Sequence, residues 1–229
     1  MPKLTRNWTL NPSDFAFLWE ECKRCFYLKV ASSFPRPRGI MPRIFRTIDA
    51  EMKEHYANNR TEQVAPFLPP GLIDPSTSWV QSLQLVVPGR NSTITIRGKL
   101  DTVVRFDDAT YGVIDFKTSG VRSESTNLYG RQLHAYAFAL ENADDKFLSL
   151  APVRRLGLIV FEPTSFSSDN NALATLSGPL KWVEVPRNDQ EFFAFLRKVV
   201  DVLELPTPPP SSSTCEWCQY REKSRITGL

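Results

Sequence analysis

Asp101, Asp115 and Lys117 are the residues of this sequence best suited to do chemistry. Asp115 and Lys117 lie in the run Gly112-Val-Ile-Asp115-Phe-Lys117-Thr118. In an extended chain, residues two apart share a face. Asp115 and Lys117 therefore project together, while Ile114 and Phe116 turn the other way into apolar packing. Asp101, in Gly98-Lys-Leu-Asp101, precedes a turn at Asp107-Asp108 that makes 101 and 115 cross-strand neighbours. Two carboxylates and an ammonium at one point suit a hard divalent cation, Mg²⁺ or Mn²⁺, which takes oxygen ligands. Such a cation lowers the pKa of a bound water and shields charge developing at phosphorus. The ammonium can orient that water or stabilise a pentavalent state. An ordinary ion pair of Lys117 with either aspartate is the competing reading. Gln132 and Tyr136, four apart, share one face of a helix that follows closely enough to lie beside the strand.

The cysteines form the second constellation. All four occur as two C-x-x-C pairs, Cys22-Lys-Arg-Cys25 and Cys215-Glu-Trp-Cys218. Free thiols or a disulfide are the plain alternatives, and a reducing compartment disfavours the latter. Two C-x-x-C pairs brought together supply four sulfurs for Zn²⁺ or an iron–sulfur cluster. Only His55 and His134 are present, so a His-rich zinc site is excluded by count.

These groups need a scaffold, and the chain is long enough for one generous domain: 229 residues, 41% hydrophobic and 23% charged, with a net charge of +3. That balance permits a nucleic-acid partner without demanding one. No apolar run approaches the roughly 18 residues of a membrane span, and the first residues show no apolar signal core. A soluble, cytoplasmic protein with no membrane partner is expected.

Asn11-Pro12 starts a helix carrying Phe15, Leu18, Trp19, Cys22, Cys25 and Phe26 to about residue 29. A second helix spans 43–57, and 58–78 reads as a proline-rich surface loop. Strands are expected over 79–87, 93–106 and 111–118, followed by a helix over 125–142 and a buried strand over 156–161. Residues 163–179 read as a Ser/Asn-rich loop and 181–185 as a strand. Asn188-Asp-Gln-Glu191 resembles a capping box, and its helix ends before Pro206. A Pro/Ser linker at 206–214 then delivers the last cysteines. The order implies an α/β fold: an antiparallel meander, then a helix crossover.

Taken together, Gly98-x-x-Asp101, Asp115-Phe-Lys117 and Gln132-x-x-x-Tyr136 resemble motifs of the PD-(D/E)XK nuclease superfamily. The opening helix with Cys22-Lys-Arg-Cys25-Phe-Tyr-Leu28 and the closing Cys215-x-x-Cys218-x-Tyr220 are similar to its RecB-type branch. That branch includes CRISPR-adaptation nucleases and exonuclease V. The resemblance implies a restriction-endonuclease-like core over 1–205, with a central mixed sheet flanked by helices. A segment at 215–229 would then close a four-cysteine site with the 11–29 helix. It implies a metal-dependent DNA nuclease acting on single-stranded or end-containing DNA. The alternative is a nucleic-acid-binding module with weak or no catalysis. By resemblance, Asp101, Asp115 and the Phe116 backbone carbonyl hold the divalent metal, Lys117 is catalytic, and Gln132 and Tyr136 contact DNA or brace the site. The remaining acid of the family pattern is assigned to Asp49, ahead of Glu51 and His55. Against it stands a plain ion pair with Lys53. The family favours a [4Fe–4S] cluster at Cys22, Cys25, Cys215 and Cys218, and Zn²⁺ is the alternative. Unlike the family, this chain splits its cysteines two and two. Arg24, Arg221, Lys223 and Arg225 are candidates for a basic DNA-binding rim, with Trp217 or Tyr220 available for stacking. The competing reading is that these cations solubilise the tail and the aromatics pack on the cysteines.

Overall fold

A computed structural model describes residues 6–37, 39–74, 78–118, 123–170 and 172–227, without the side chains of 123–125. In chain order, a short strand β1 (Asn7–Leu10) leads into three consecutive helical segments, α1 (Pro12–Ala16), α2 (Leu18–Glu21) and α3 (Lys23–Ala31). Helix α4 (Arg43–Tyr56) and a 3-10 turn precede β2 (Gly71–Asp74), β3 (Ser78–Gln81) and β4 (Leu85–Val86). The strands β5 (Thr93–Leu100), β6 (Thr102–Phe106) and β7 (Tyr111–Lys117) then lead to the long helix α5 (Ser123–Glu141). After it come β8 (Val153–Phe161), β9 (Ser165–Ser168), β10 (Ala174–Ser177), β11 (Leu180–Val185), α6 (Asp189–Leu203) and α7 (Glu216–Thr227).

The main sheet has the order β11-β8-β7-β6-β2. β7 and β8 are parallel, joined by the α5 crossover, and the other pairs are antiparallel. A second sheet, β1-β5-β3 with β4 also on β5, pairs β1 and β5 in parallel. This is the α/β restriction-endonuclease-like arrangement that the motif order implies. The main core lies on the α5 side of the sheet, around Val113, Leu133, Leu156, Leu158 and Leu196. On the other face, Met52 and Tyr56 of α4 pack on Ile114, Phe116 and Ile159. Tyr56 stacks on Phe116 with ring centroids 6.1 Å apart. The period of two in β7 thus assigns odd residues to the α5 side and even residues to α4.

Local signals explain the helix starts. Asn11 accepts from the Ser13 N–H with Pro12 in the first helical turn, and Asn188 accepts from the Glu191 N–H. Six readings of the sequence change, the first being the strand expected over 79–87, which is two short strands, β3 and β4. The expected helix over 11–29 is broken, because Cys22 is extended (φ −163°, ψ 107°) and starts a new helix. The expected strand over 93–106 breaks at Asp101, where the chain passes from the second sheet to the main one. The loop assigned to 58–78 contains β2, a four-residue edge strand whose alternation rests mainly on Ile73. The loop assigned to 163–179 is a hairpin, β9–β10, exposed on both faces and so without apolar alternation. The tail after Cys215 is helical.

Candidate active site and cysteine cluster

The register of β6 on β7 pairs Thr102 with Ile114, so the next step places Asp101 opposite Asp115. Asp115 is buried, and Lys117 stands beside it on the same face with Nζ 2.5 Å from Oδ2. Tyr129, one turn before Gln132 on α5, presents its ring to Lys117 Nζ at 4.7 Å. Gln132 completes the face: its Nε2 donates to Asp115 Oδ2 at 3.3 Å, while its buried Oε1 has no hydrogen-bond partner among the described residues. Burial pushes the Asp115 carboxyl up, Lys117 opposes that, and the neighbouring Asp101 charge adds to it. A buried carboxylate in this state is incompletely compensated and favours a further cation.

Tyr136 donates to the Lys99 carbonyl at 2.8 Å. Burial, then the charges of Asp101 and Asp115, push its phenol up, so the hydroxyl stays protonated. Gly98 permits this approach. A Cβ there would lie 2.8 Å from Pro12 Cδ and 3.1 Å from Tyr136 Cε1, too close for a side chain. The Phe116 side chain is turned away onto Tyr56, leaving its backbone between Asp115 and Lys117.

From the opposite side, α4 brings Asp49 to the same place through Lys53. Lys53 Nζ is 2.8 Å from Asp49 Oδ2 and 3.1 Å from Asp101 Oδ1. Burial disfavours the Lys53 charge, but Asp49 and Asp101 outweigh it and push its pKa up. The plain ion pair of Asp49 with Lys53 therefore exists, and it is also the link to Asp101. The donor set is all oxygen: three carboxylates held by two ammonium groups, Asp49 and Asp101 by Lys53 and Asp115 by Lys117. It fits a hard cation such as Mg²⁺ or Mn²⁺. Lys53 and Tyr129 join the site beyond the residues that the motifs mark. Their spacings, four from Asp49 and three from Gln132, carried a signal.

The four cysteine sulfurs gather in a second place, all within 4.8 Å of one another and all buried. Cys22 Sγ is 3.7 Å from Cys218 Sγ, and Cys25 Sγ is 3.8 Å from Cys215 Sγ and 3.5 Å from Cys218 Sγ. The two pairs have the same local form. Cys22 and Cys215 each immediately precede a helix, α3 or α7, and Cys25 and Cys218 lie in its first turn. Two helix N-termini, the positive ends of their dipoles, thus converge on four thiols. Burial raises the Cys22 thiol, but backbone hydrogen bonds from Ser212 and Cys25 outweigh it and hold the thiol at about 7. Arg36 donates to Cys215 Sγ at 3.1 Å, and Arg221 to both Cys25 and Cys218 Sγ at 3.2 Å. Arg36 carries no spacing signal in the sequence. Leu18 and Trp217 cover the cluster.

Arg24, Arg221, Lys223 and Arg225 line one groove of about 750 Å³, with Phe34 on its wall. Two of these cations are turned inward. Arg24 donates to the Pro209 carbonyl at 3.1 Å, and Arg221 holds the sulfurs. Lys223 and Arg225 are exposed, as is Tyr220, whereas Trp217 packs on the cysteines.

A buried Asp-x-Lys strand faces a Gln-x-x-x-Tyr helix, with a further aspartate across the hairpin, as the motif resemblance implies. The chain belongs to the PD-(D/E)XK nuclease superfamily, whose family model matches residues 35–223. Nucleases of this superfamily are generally phosphodiester hydrolases that use divalent metals. Among solved structures, one titled "Crystal structure of SSO0001" is similar at 12% identity and a TM-score of 0.48, covering 88% of this chain and 79% of that one. No curated protein matches. Among the described residues, no helix is long and apolar enough to cross a membrane.

Proposed function

We propose that this chain is a Mg²⁺- or Mn²⁺-dependent deoxyribonuclease that hydrolyses phosphodiester bonds of single-stranded or end-containing DNA. We also infer that its opening and closing cysteine motifs place it nearest the RecB-type branch. The observation that carries the reading is Asp115: a buried carboxylate, paired with Lys117 at 2.5 Å and opposite Asp101 in register. A plain structural ion pair has no need of the two further groups, Gln132 and the Lys53-linked aspartates, that converge on it.

Asp101, Asp115 and the Phe116 carbonyl would hold the cation, with Asp49 as the fourth candidate. The bound cation would supply Lewis acidity to water and phosphate. Lys117 places its ammonium beside the reacting phosphate, where it stabilises developing negative charge. Gln132 fixes the Asp115 carboxylate, and Tyr136 braces the α5 face against the strand. Arg43 and Arg46 at the start of α4 are exposed, as are Ile44 and Phe45. With the groove bearing Lys223 and Arg225, they offer cations for phosphates and apolar surface for unstacked bases. The four-cysteine site is structural.

The test is cleavage of single- and double-stranded DNA and of RNA with Mn²⁺ or Mg²⁺. The parent is expected to degrade DNA, and Asp115→Ala and Lys117→Ala to lose about 10²-fold or more of the rate. Circular dichroism checks that both variants fold. Undiminished cleavage by both would remove this site from the reaction. Binding without cleavage by the parent would make the chain a nucleic-acid-binding module.

A further inference from the structure

We propose that the four cysteines hold one zinc ion in tetrahedral sulfur coordination and not a [4Fe–4S] cluster. This deepens the structural-metal part of the functional reading and is independent of the nuclease part.

The argument is one of size. Zinc–thiolate bonds of about 2.3 Å in a regular tetrahedron put the sulfurs about 3.8 Å apart. Three of the pairs here are at 3.5, 3.7 and 3.8 Å, and no pair exceeds 4.8 Å. A cubane stands four irons between its thiolates, which separates the sulfurs to about 6 Å. The cage of four sulfurs in this chain is the size of one ion.

The cage has little means to expand. The first C-x-x-C is anchored through its own helix: Phe26 is fully buried, Tyr27 donates to the Leu205 carbonyl and Arg24 to the Pro209 carbonyl. The second is tied to the first by Arg221, whose Nη2 reaches one sulfur from each pair. Moving the pairs apart by about 2 Å, as the cubane's size requires, would stretch that bridge to its limit, with the one nitrogen nearly in line between the two sulfurs. It would break the contact with Cys215 of Arg36, whose other guanidinium nitrogen is held by Glu21 at 2.6 Å.

Charge is balanced with this occupant, as it would equally be with a [4Fe–4S]²⁺ core, so size and not charge decides between them. Four thiolates and Zn²⁺ leave two negative charges, and Arg36 and Arg221 supply two positive ones against the sulfurs. The two-plus-two spacing, each first cysteine preceding a helix and each second one in its first turn, gives both halves of the cage equivalent geometry.

The experiment uses the full chain, produced in medium containing both iron and zinc and purified without oxygen. The readouts are metal content, acid-labile sulfide and the visible spectrum. Expected are one zinc per chain, no labile sulfide and a colourless protein, all unchanged after exposure to air. X-ray absorption at the zinc edge is expected to show sulfur neighbours at about 2.3 Å. Four irons with labile sulfide and absorbance near 400 nm, or a single iron, would overturn the inference. Cys218→Ser is expected to lose the zinc. If that variant does not fold, the parent loaded with Co²⁺ decides: tetrahedral thiolate d–d bands support the cage, and their absence overturns it. Asp115→Ala is expected to retain its zinc in full, so a failure of the nuclease reading leaves this result standing.

Discussion

Lys53 is the side chain whose position says most about the site. Its ammonium lies between Asp49 and Asp101, where a divalent cation serving the same carboxylates would compete with it. Lys53→Met would leave those two carboxylates facing each other near Asp115. The metal-free variant is expected to lose about 1 kcal/mol, since the partners are partly solvent-screened. That is about 2–4 °C in Tm for a chain of this size. Adding Mn²⁺ is expected to raise Tm more in the variant than in the parent. Equal Mn²⁺ shifts, measured by thermal unfolding, would mean that Lys53 does not stand in for the cation. At this scale the sequence was a good guide where a single period decides. The strand period placed Asp115 with Lys117, and the helical period placed Gln132 with Tyr136. The double role of Lys53 was not readable, because it depends on how α4 lies across the sheet. The role of Gly98 was not readable either, because Pro12 and Tyr136 come from distant parts of the chain.

Helices α5 and α6 meet through His134. Its Nε2 accepts from the Asn188 N–H at 2.7 Å, so its Nδ1 carries the hydrogen and donates to the Gly130 carbonyl at 2.9 Å. Protonation would set a second N–H against the Asn188 N–H. Burial, with Arg187 adding to it, lowers the His134 pKa, although Gly130, Asp189 and Glu191 act the other way. The unfolded chain therefore takes up the proton at higher pH than the folded one. The His134 contribution is complete above the unfolded value of 6.5 and is lost as pH falls from there toward the folded value. One proton gives at most about 1.4 kcal/mol per pH unit. Denaturant unfolding between pH 7.5 and 5 is expected to show this slope in the parent and a flatter one in His134→Gln. Parallel slopes would remove His134 as its source. Helix starts such as Asn11-Pro12 and Asn188 were readable because their signals are local. The break of one extended run into β5 and β6 was not, because a change of sheet at Asp101 leaves every residue extended. The β9–β10 hairpin also escaped, having no buried face to imprint a pattern.

The chain closes on itself through sulfur. Only Cys218 of α7 is buried, so this 12-residue helix has no apolar face to dock. A helix of that length is marginal in water on its own. The same lack of an apolar stripe is why the tail gave no helical signal in the sequence, although the paired C-x-x-C spacing did point to a joint between the two ends. What orders α7 is therefore the cluster of four sulfurs and the arginines on it, and structural metal binding of this kind is folding free energy. The sheet has its own core around Val113, Leu156 and Leu158, which the cysteines do not enter. Stripping the metal with a thiol-specific reagent and a chelator is thus expected to act in two tiers. Hydrogen exchange should show amides of Glu216–Thr227 losing protection first, together with the first turn of Lys23–Ala31. Amides of β7 and β8 should stay protected, and the thermal transition of the sheet should survive at a lower temperature. Simultaneous loss of protection at both ends and in β7 would show instead that the cysteine joint is part of one cooperative unit with the sheet.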